Sequence, residues 1–137
     1  MLKSLVAAAL GLALVSGPAV AQDARGAALV TAQLDALVSE FGMTVTDRAT
    51  GRLQQNGSHV AQLQSPGGAV YFIGACDENC GDVDLIVRDS SGRQIGEDME
   101  LDDTPIVQFE TTAGVYSVEV RMADCTGQCH WGVGVFR

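Results

Sequence analysis

The spacing of apolar positions changes twice along the chain. It opens on an apolar run, Leu5 to Val15, behind a single cation, Lys3. Ser16, Gly17 and Pro18 interrupt the run, and Ala19-Val20-Ala21 closes it. A charged start, a short apolar stretch and an A-x-A site predict a secretory signal peptide over residues 1–21, cleaved after Ala21. The run is shorter than the roughly 20 residues that a membrane span needs, so no membrane insertion is expected after cleavage. The residue directly after the cleavage point is Gln22 and not cysteine, which argues against a lipoprotein. From Asp23 to Phe41 the spacing becomes three to four. Val30, Leu34, Leu37, Val38 and Phe41 share one helical face; Asp23 suits the cap or first turn and Gly42 the stop. This N-terminal helix, 22–42, is expected to pack on the rest of the chain, because an isolated helix of this length is marginal in water.

From Met43 onward the period is two. "MTVTD" alternates, and "GRLQQNGSHVAQLQ" places Asn56-Gly57 between two strand-like arms, a hairpin signal. "SPGG" at 65–68 turns the chain into "AVYFIGA", a continuous apolar run of the buried-strand kind. "VDLIVRD" sets Val83, Leu85 and Val87 against Asp84, Ile86 and Arg88 before the turn "SSG". A short arm at Gln94-Ile95 leads into the acidic loop "EDMELDDTP", and "IVQFE" and "VYSVEVRM" flank Ala113-Gly114. In the last strand, "HWGVGVF", Trp131, Val133 and Val135 share a face and two glycines sit opposite, which predicts a close neighbour or a bend there. Seven to nine short strands after one helix predict a mainly β fold: an antiparallel jelly-roll-like β-sandwich over 43–137.

Charge narrows the function. All 17 acidic residues follow the predicted cleavage site, where they face seven arginines and no lysine, a net charge of −10. That balance excludes nucleic acid as a partner and disfavours anionic lipid. The four cysteines form two equal C-x3-C pairs, Cys76/Cys80 and Cys125/Cys129. In an oxidising compartment an even set reads as disulfides. The equal spacing favours local bridges, with cross-links between the two loops as the alternative. A zinc site built from all four is the sharper reading, but zinc knuckles favour C-x2-C.

A family resemblance rests on "GDVDLIVRDSSGRQIGEDMELDDTPIVQFETTAGVYSVEVRM". It carries a D-x-D-L strand opening (Asp82, Asp84, Leu85), an Asp-x-x-Gly turn (Asp89, Gly92), Asp98, Pro105, Gly114-Val115-Tyr116 and the closing strand Gly132–Phe136. In these residues the segment 69–137 resembles the bacterial pre-peptidase C-terminal domain, a small β-sandwich often attached to secreted peptidases. The resemblance implies a jelly-roll-like sandwich and a non-catalytic role in binding or protein maturation. It also brings in calcium, which related collagen-binding sandwiches use. The helix and the paired C-x3-C loops depart from the general pattern.

If consecutive strands alternate direction, the loops at 76–82, 96–104 and 123–129 meet at one pole. Asp82, Asp84, Asp98, Asp102 and Asp103, with Asp77 and Glu78 nearby, then become candidate ligands for Ca²⁺, which wants six to eight hard oxygens. The bland alternative is a solvated acidic rim, with Asp82 or Asp84 capping turn amides. Catalysis has little support: the chain contains no G-x-S-x-G and no H-E-x-x-H, and its two histidines, His59 and His130, stand apart in sequence. Trp131 is expected in the core rather than as a sugar platform. The expectation is therefore a periplasmic or secreted, disulfide-stapled, non-enzymatic domain that binds a protein or glycan, with Ca²⁺ as its candidate cofactor. An accessory or inhibitor domain acting on a secreted peptidase is the alternative.

Overall fold

The computed structural model describes residues 18–137, with side chains from Asp23 onward. The predicted signal peptide lies outside the described residues except for its last four positions, whose backbone is already helical. Helix α1 runs Pro18–Phe41, with proline at its first position, where no amide hydrogen is needed. Gly42, in the left-handed region at φ 67°, ends it. Eight strands follow: β1 Val45–Gln54, β2 Ser58–Ser65, β3 Gly68–Cys76, β4 Cys80–Arg88, β5 Gln94–Asp98, β6 Ile106–Thr111, β7 Gly114–Cys125 and β8 Gln128–Phe136.

The strands form two four-stranded sheets, ordered β1-β8-β3-β6 and β2-β7-β4-β5. Each pairing is antiparallel, and successive strands alternate between the sheets, except β4 and β5, which pair with each other, in the jelly-roll order. The period-two pattern is the cause. On β7, Tyr116, Val118, Val120 and Met122 are all buried, while the residues between them stay partly exposed. Their inward faces meet Phe72, Val70, Val133, Val135 and Trp131 from the opposite sheet in one core, so Trp131 is a core residue as expected.

The Asn56-Gly57 turn exists, with Asn56 at φ 63°, but it does not make a hairpin. Its two arms go to opposite sheets: β1 pairs with β8 and β2 with β7. The turn is pinned to β7 instead, where Asn56 N–H donates to Met122 O (2.8 Å) and Met122 N–H to Gly57 O (2.9 Å). Gln55 reinforces this by donating to Ala123 O and accepting from Cys125 N–H. The turn is thus a corner of the sandwich.

The glycines of β8 have the close neighbour their pattern predicts. A Cβ on Gly132 would stand 2.6 Å from Val30 and 2.9 Å from Leu34 of α1. The bare backbone lets the helix lie directly on the outer face of the first sheet. There Val30 and Leu34 join Ile73, Ala75 and Phe136 in a second, smaller core. Ion pairs Arg48–Asp35 (2.7 Å) and Arg52–Asp23 flank the contact; exposed pairs of this kind contribute little, so packing holds the helix. The predicted helical face is too wide by one turn, because Val38 and Phe41 are exposed. The buried helix positions are Gly26, against His130 and Asp77, and Val30 and Leu34, over Gly132.

Candidate functional site at the acidic pole

The loops β3–β4, β5–β6 and β7–β8 do meet at one end of the sandwich. Two local disulfides define its floor. Cys76–Cys80 closes the β3–β4 turn and Cys125–Cys129 the β7–β8 turn, with Cα atoms 5.9 and 6.0 Å apart, ordinary spacing for a bridge. All four cysteines are used, which removes them as zinc ligands. The two turns are tied together by Thr126 N–H donating to Asn79 O (2.9 Å). Buried Asp77 knits the turn further: its Oδ1 accepts from Asn79 N–H (3.1 Å) and its Oδ2 from His130 N–H (2.8 Å). That makes Asp77 a structural cap and not a free ligand.

His130 turns its ring toward the helix, with Nε2 2.9 Å from Asp23 Oδ1. Arg52 reaches the same carboxylate, and together Arg52 first and His130 second hold the Asp23 carboxyl below its ordinary range. His59 is exposed at the start of β2, its ring centroid 5.4 Å from that of Trp131. The two histidines therefore have separate surroundings.

The acidic loop folds back on β4. Val83 N–H donates to Asp102 O (3.0 Å), and Asp102 N–H donates to Asp82 Oδ1 (3.3 Å). Within the loop one carboxylate oxygen from each of Asp98, Glu100 and Asp102 lies within 4.8 Å of the others. Asp98 Oδ1 accepts from Glu100 N–H (3.1 Å) and its Oδ2 from Ile106 N–H (2.8 Å), while Asp102 Oδ1 accepts from Thr104 N–H (3.0 Å). These amides pre-orient the carboxylates. Asp98 and Asp102 are among the ligands that the sequence predicts. Glu100 was not singled out, since within "EDMELDDTP" nothing in the sequence separates it from its acidic neighbours.

The remaining foreseen residues are placed differently. Asp82 is buried beside the cluster. Burial, followed by the charges of Asp102, Asp124 and Asp98, raises its carboxyl above the ordinary range, against the lowering effect of the Asp102 amide. Asp103 turns its Oδ1 to the Thr104 hydroxyl (3.1 Å) and is not part of the group of three. Asp84 lies on the outer face of the second sheet, opposite Arg121 of β7. It too is buried and raised, by burial first and then by Asp82, with Arg121 pulling the other way.

These directions predict a stability profile with two signs. Asp82 and Asp84 hold protons more tightly folded than unfolded, so stability rises as pH falls through their raised folded pKa values toward the ordinary 3.8. Asp23 and Asp89 have the opposite shift; Asp89 is held down first by the Ser91 hydroxyl and then by the backbone of Arg93 and Ser91. The stability they contribute is present above the ordinary value of 3.8 and lost as pH falls through their folded pKa values. Melting temperature against pH should pass through a maximum on the acidic side of neutrality; a steady fall from pH 7 downward contradicts the burial of the two aspartates.

Chemically, the pole offers a preformed group of hard oxygen donors of one sign, with a buried carboxylate behind it. Such a group suits a hard divalent cation better than a nucleophile or a general base. Among the described residues no helix is long and apolar enough to cross a membrane. The chain matches no protein-family model, and a search of curated proteins found no match.

Proposed function

We propose that this protein is an exported, non-catalytic binding or accessory domain of the pre-peptidase C-terminal kind, and that its acidic pole takes Ca²⁺. The observation that carries the metal reading is the convergence of Asp98, Glu100 and Asp102 oxygens within 4.8 Å of one another. Like charges held this close repel, and a divalent cation relieves the repulsion. Asp82, hydrogen-bonded to the backbone of Asp102, supplies a further carboxylate at the base of the loop.

Export is supported by the two disulfides, since such bridges persist in oxidising compartments and are rare in the cytosol. With the signal-peptide pattern at the N-terminus, they favour the periplasm or the exterior. The family reading is supported by the motif order and by the jelly-roll fold, although a shared fold alone does not imply a shared task. A protein or glycan is the expected ligand, with calcium setting the loop that meets it. The alternative, an accessory or inhibitor domain acting on a secreted peptidase, uses the same pole.

The test is a thermal melt of the oxidised protein in millimolar Ca²⁺ and again in EDTA. A ligand at about 100 times its dissociation constant adds roughly 2.7 kcal/mol, several degrees for a domain this size. Asp98→Asn with Asp102→Asn should abolish the rise. Superimposable melts would leave the carboxylates as a solvated rim.

A further inference from the structure

On the outer face of the second sheet there is a surface cavity of about 360 Å³ lined by Asn56, Ser58, Asp84, Met99, Glu119 and Arg121; its Met99 wall stands between Asp98 and Glu100 of the acidic loop. Its volume lies within the range of small-ligand sites. Its chemistry is unusual in one respect. Asp84 is only 6% exposed, and its Oδ1 is fully enclosed with no hydrogen-bond partner. Buried carboxylates normally find a donor, and a donor stands directly opposite: Arg121 pairs with Asp84 in the β4–β7 register. Arg121 nevertheless gives its Nη2 to Glu119 Oε2 (3.0 Å), an oxygen that also accepts Arg88 Nη1 (3.5 Å). Glu119 is thus matched twice and Asp84 not at all.

We propose that this cavity binds a primary alkylammonium group, with Asp84 as its charged acceptor. A divalent metal suits it poorly, because Glu119 is already engaged and the remaining hard oxygens are too few for six- to eightfold coordination. A guanidinium prefers both oxygens of a carboxylate in a planar fork, whereas here Oδ1 is walled in. An ammonium is a compact charge with three donors. It needs only the second oxygen of Asp84, the one that is not enclosed, and can share its other hydrogens with the Ser58 hydroxyl and the Asn56 side chain. Met99, 44% exposed, is unbranched and flexible; it forms the movable wall and covers the aliphatic stem. The strongly acidic chain favours the approach of such a cation.

The experiment is an amide-resolved NMR titration of the oxidised protein with n-butylammonium and, separately, with Nα-acetyl-lysine methylamide, at constant ionic strength. The expected result is saturable shifts centred on Asp84, Met99 and Arg121. Asp84→Asn should weaken binding about tenfold or more while keeping the native spectrum and melting no lower than the parent. Met99→Trp, which fills the cavity and leaves Asp84 in place, should weaken it as well and serves if the first variant does not fold. Binding of the lysine derivative alone assigns the site to a side chain of a partner protein, and binding of butylammonium alone to a free amine; either supports the proposal. It is overturned by the absence of saturable shifts with both probes, by unchanged affinity in the variants, or by guanidinium ion binding as tightly as the amines.

Discussion

Phe72→Ala is expected to destabilise the domain by about 3–5 kcal/mol, the usual cost of emptying a buried phenylalanine site. Phe72 lies on β3, inside the first sheet, with no exposed surface. Its ring centroid is 5.9 Å from that of Tyr116 on β7 of the opposite sheet, so it spans the interface that makes the two sheets one domain. Valines make up much of the same core and sit on strands held in two hydrogen-bonded sheets, which leaves little room for collapse into the void. Against a total stability of about 5–15 kcal/mol, the loss is a large share. The melting temperature should fall by about 10–20 °C, read by circular dichroism with both disulfides intact. A fall of only a few degrees would mean that the inter-sheet core is looser than the packing indicates.

Leu34→Ala has a comparable local cost, about 2–5 kcal/mol, but a different signature. Leu34 is 2% exposed and, with Val30, carries the docking of α1 onto β8 and β3. Because the helix touches the sandwich through so few buried side chains, it can leave without unfolding the sheets. Subglobal openings of this kind have their own free energy, below that of global unfolding. Hydrogen exchange should therefore lose protection over residues 24–41 while the amides of β3, β4 and β7 keep theirs. Uniform loss of protection across both regions would show that helix and sandwich form one cooperative unit.

These expectations also mark what could be read from sequence and what could not. Alternation on β4 and β7 was legible because each strand has one face in the core. Val83, Leu85, Val87 and Tyr116, Val118, Val120 are buried as their spacing requires. The local bridges Cys76–Cys80 and Cys125–Cys129 were legible from equal spacing, and the gathering of three loops at one pole followed from strand alternation. The Asn56-Gly57 turn was legible as a turn, but its consequence was not. Turn chemistry determines a local reversal and says nothing about which sheet each arm joins; long-range bonds to Met122 decide that. Val38 and Phe41 carry the helical period, yet the fully buried helix positions stop at Leu34. Asp84 was legible as outward-facing beside Ile86 and Arg88. Its burial was not, because that depends on Met99 and the β7 side chains closing around it.

The central claim is that the acidic pole is a cation site held by Asp98, Glu100 and Asp102. Isothermal titration of Ca²⁺ into the oxidised, metal-stripped protein tests it most directly. The account predicts saturable binding near one ion per chain, lost in Asp98→Asn/Asp102→Asn and retained in Asp103→Asn, whose carboxylate faces Thr104. Titration heats indistinguishable from dilution, or binding that persists unchanged in the double variant, would contradict it.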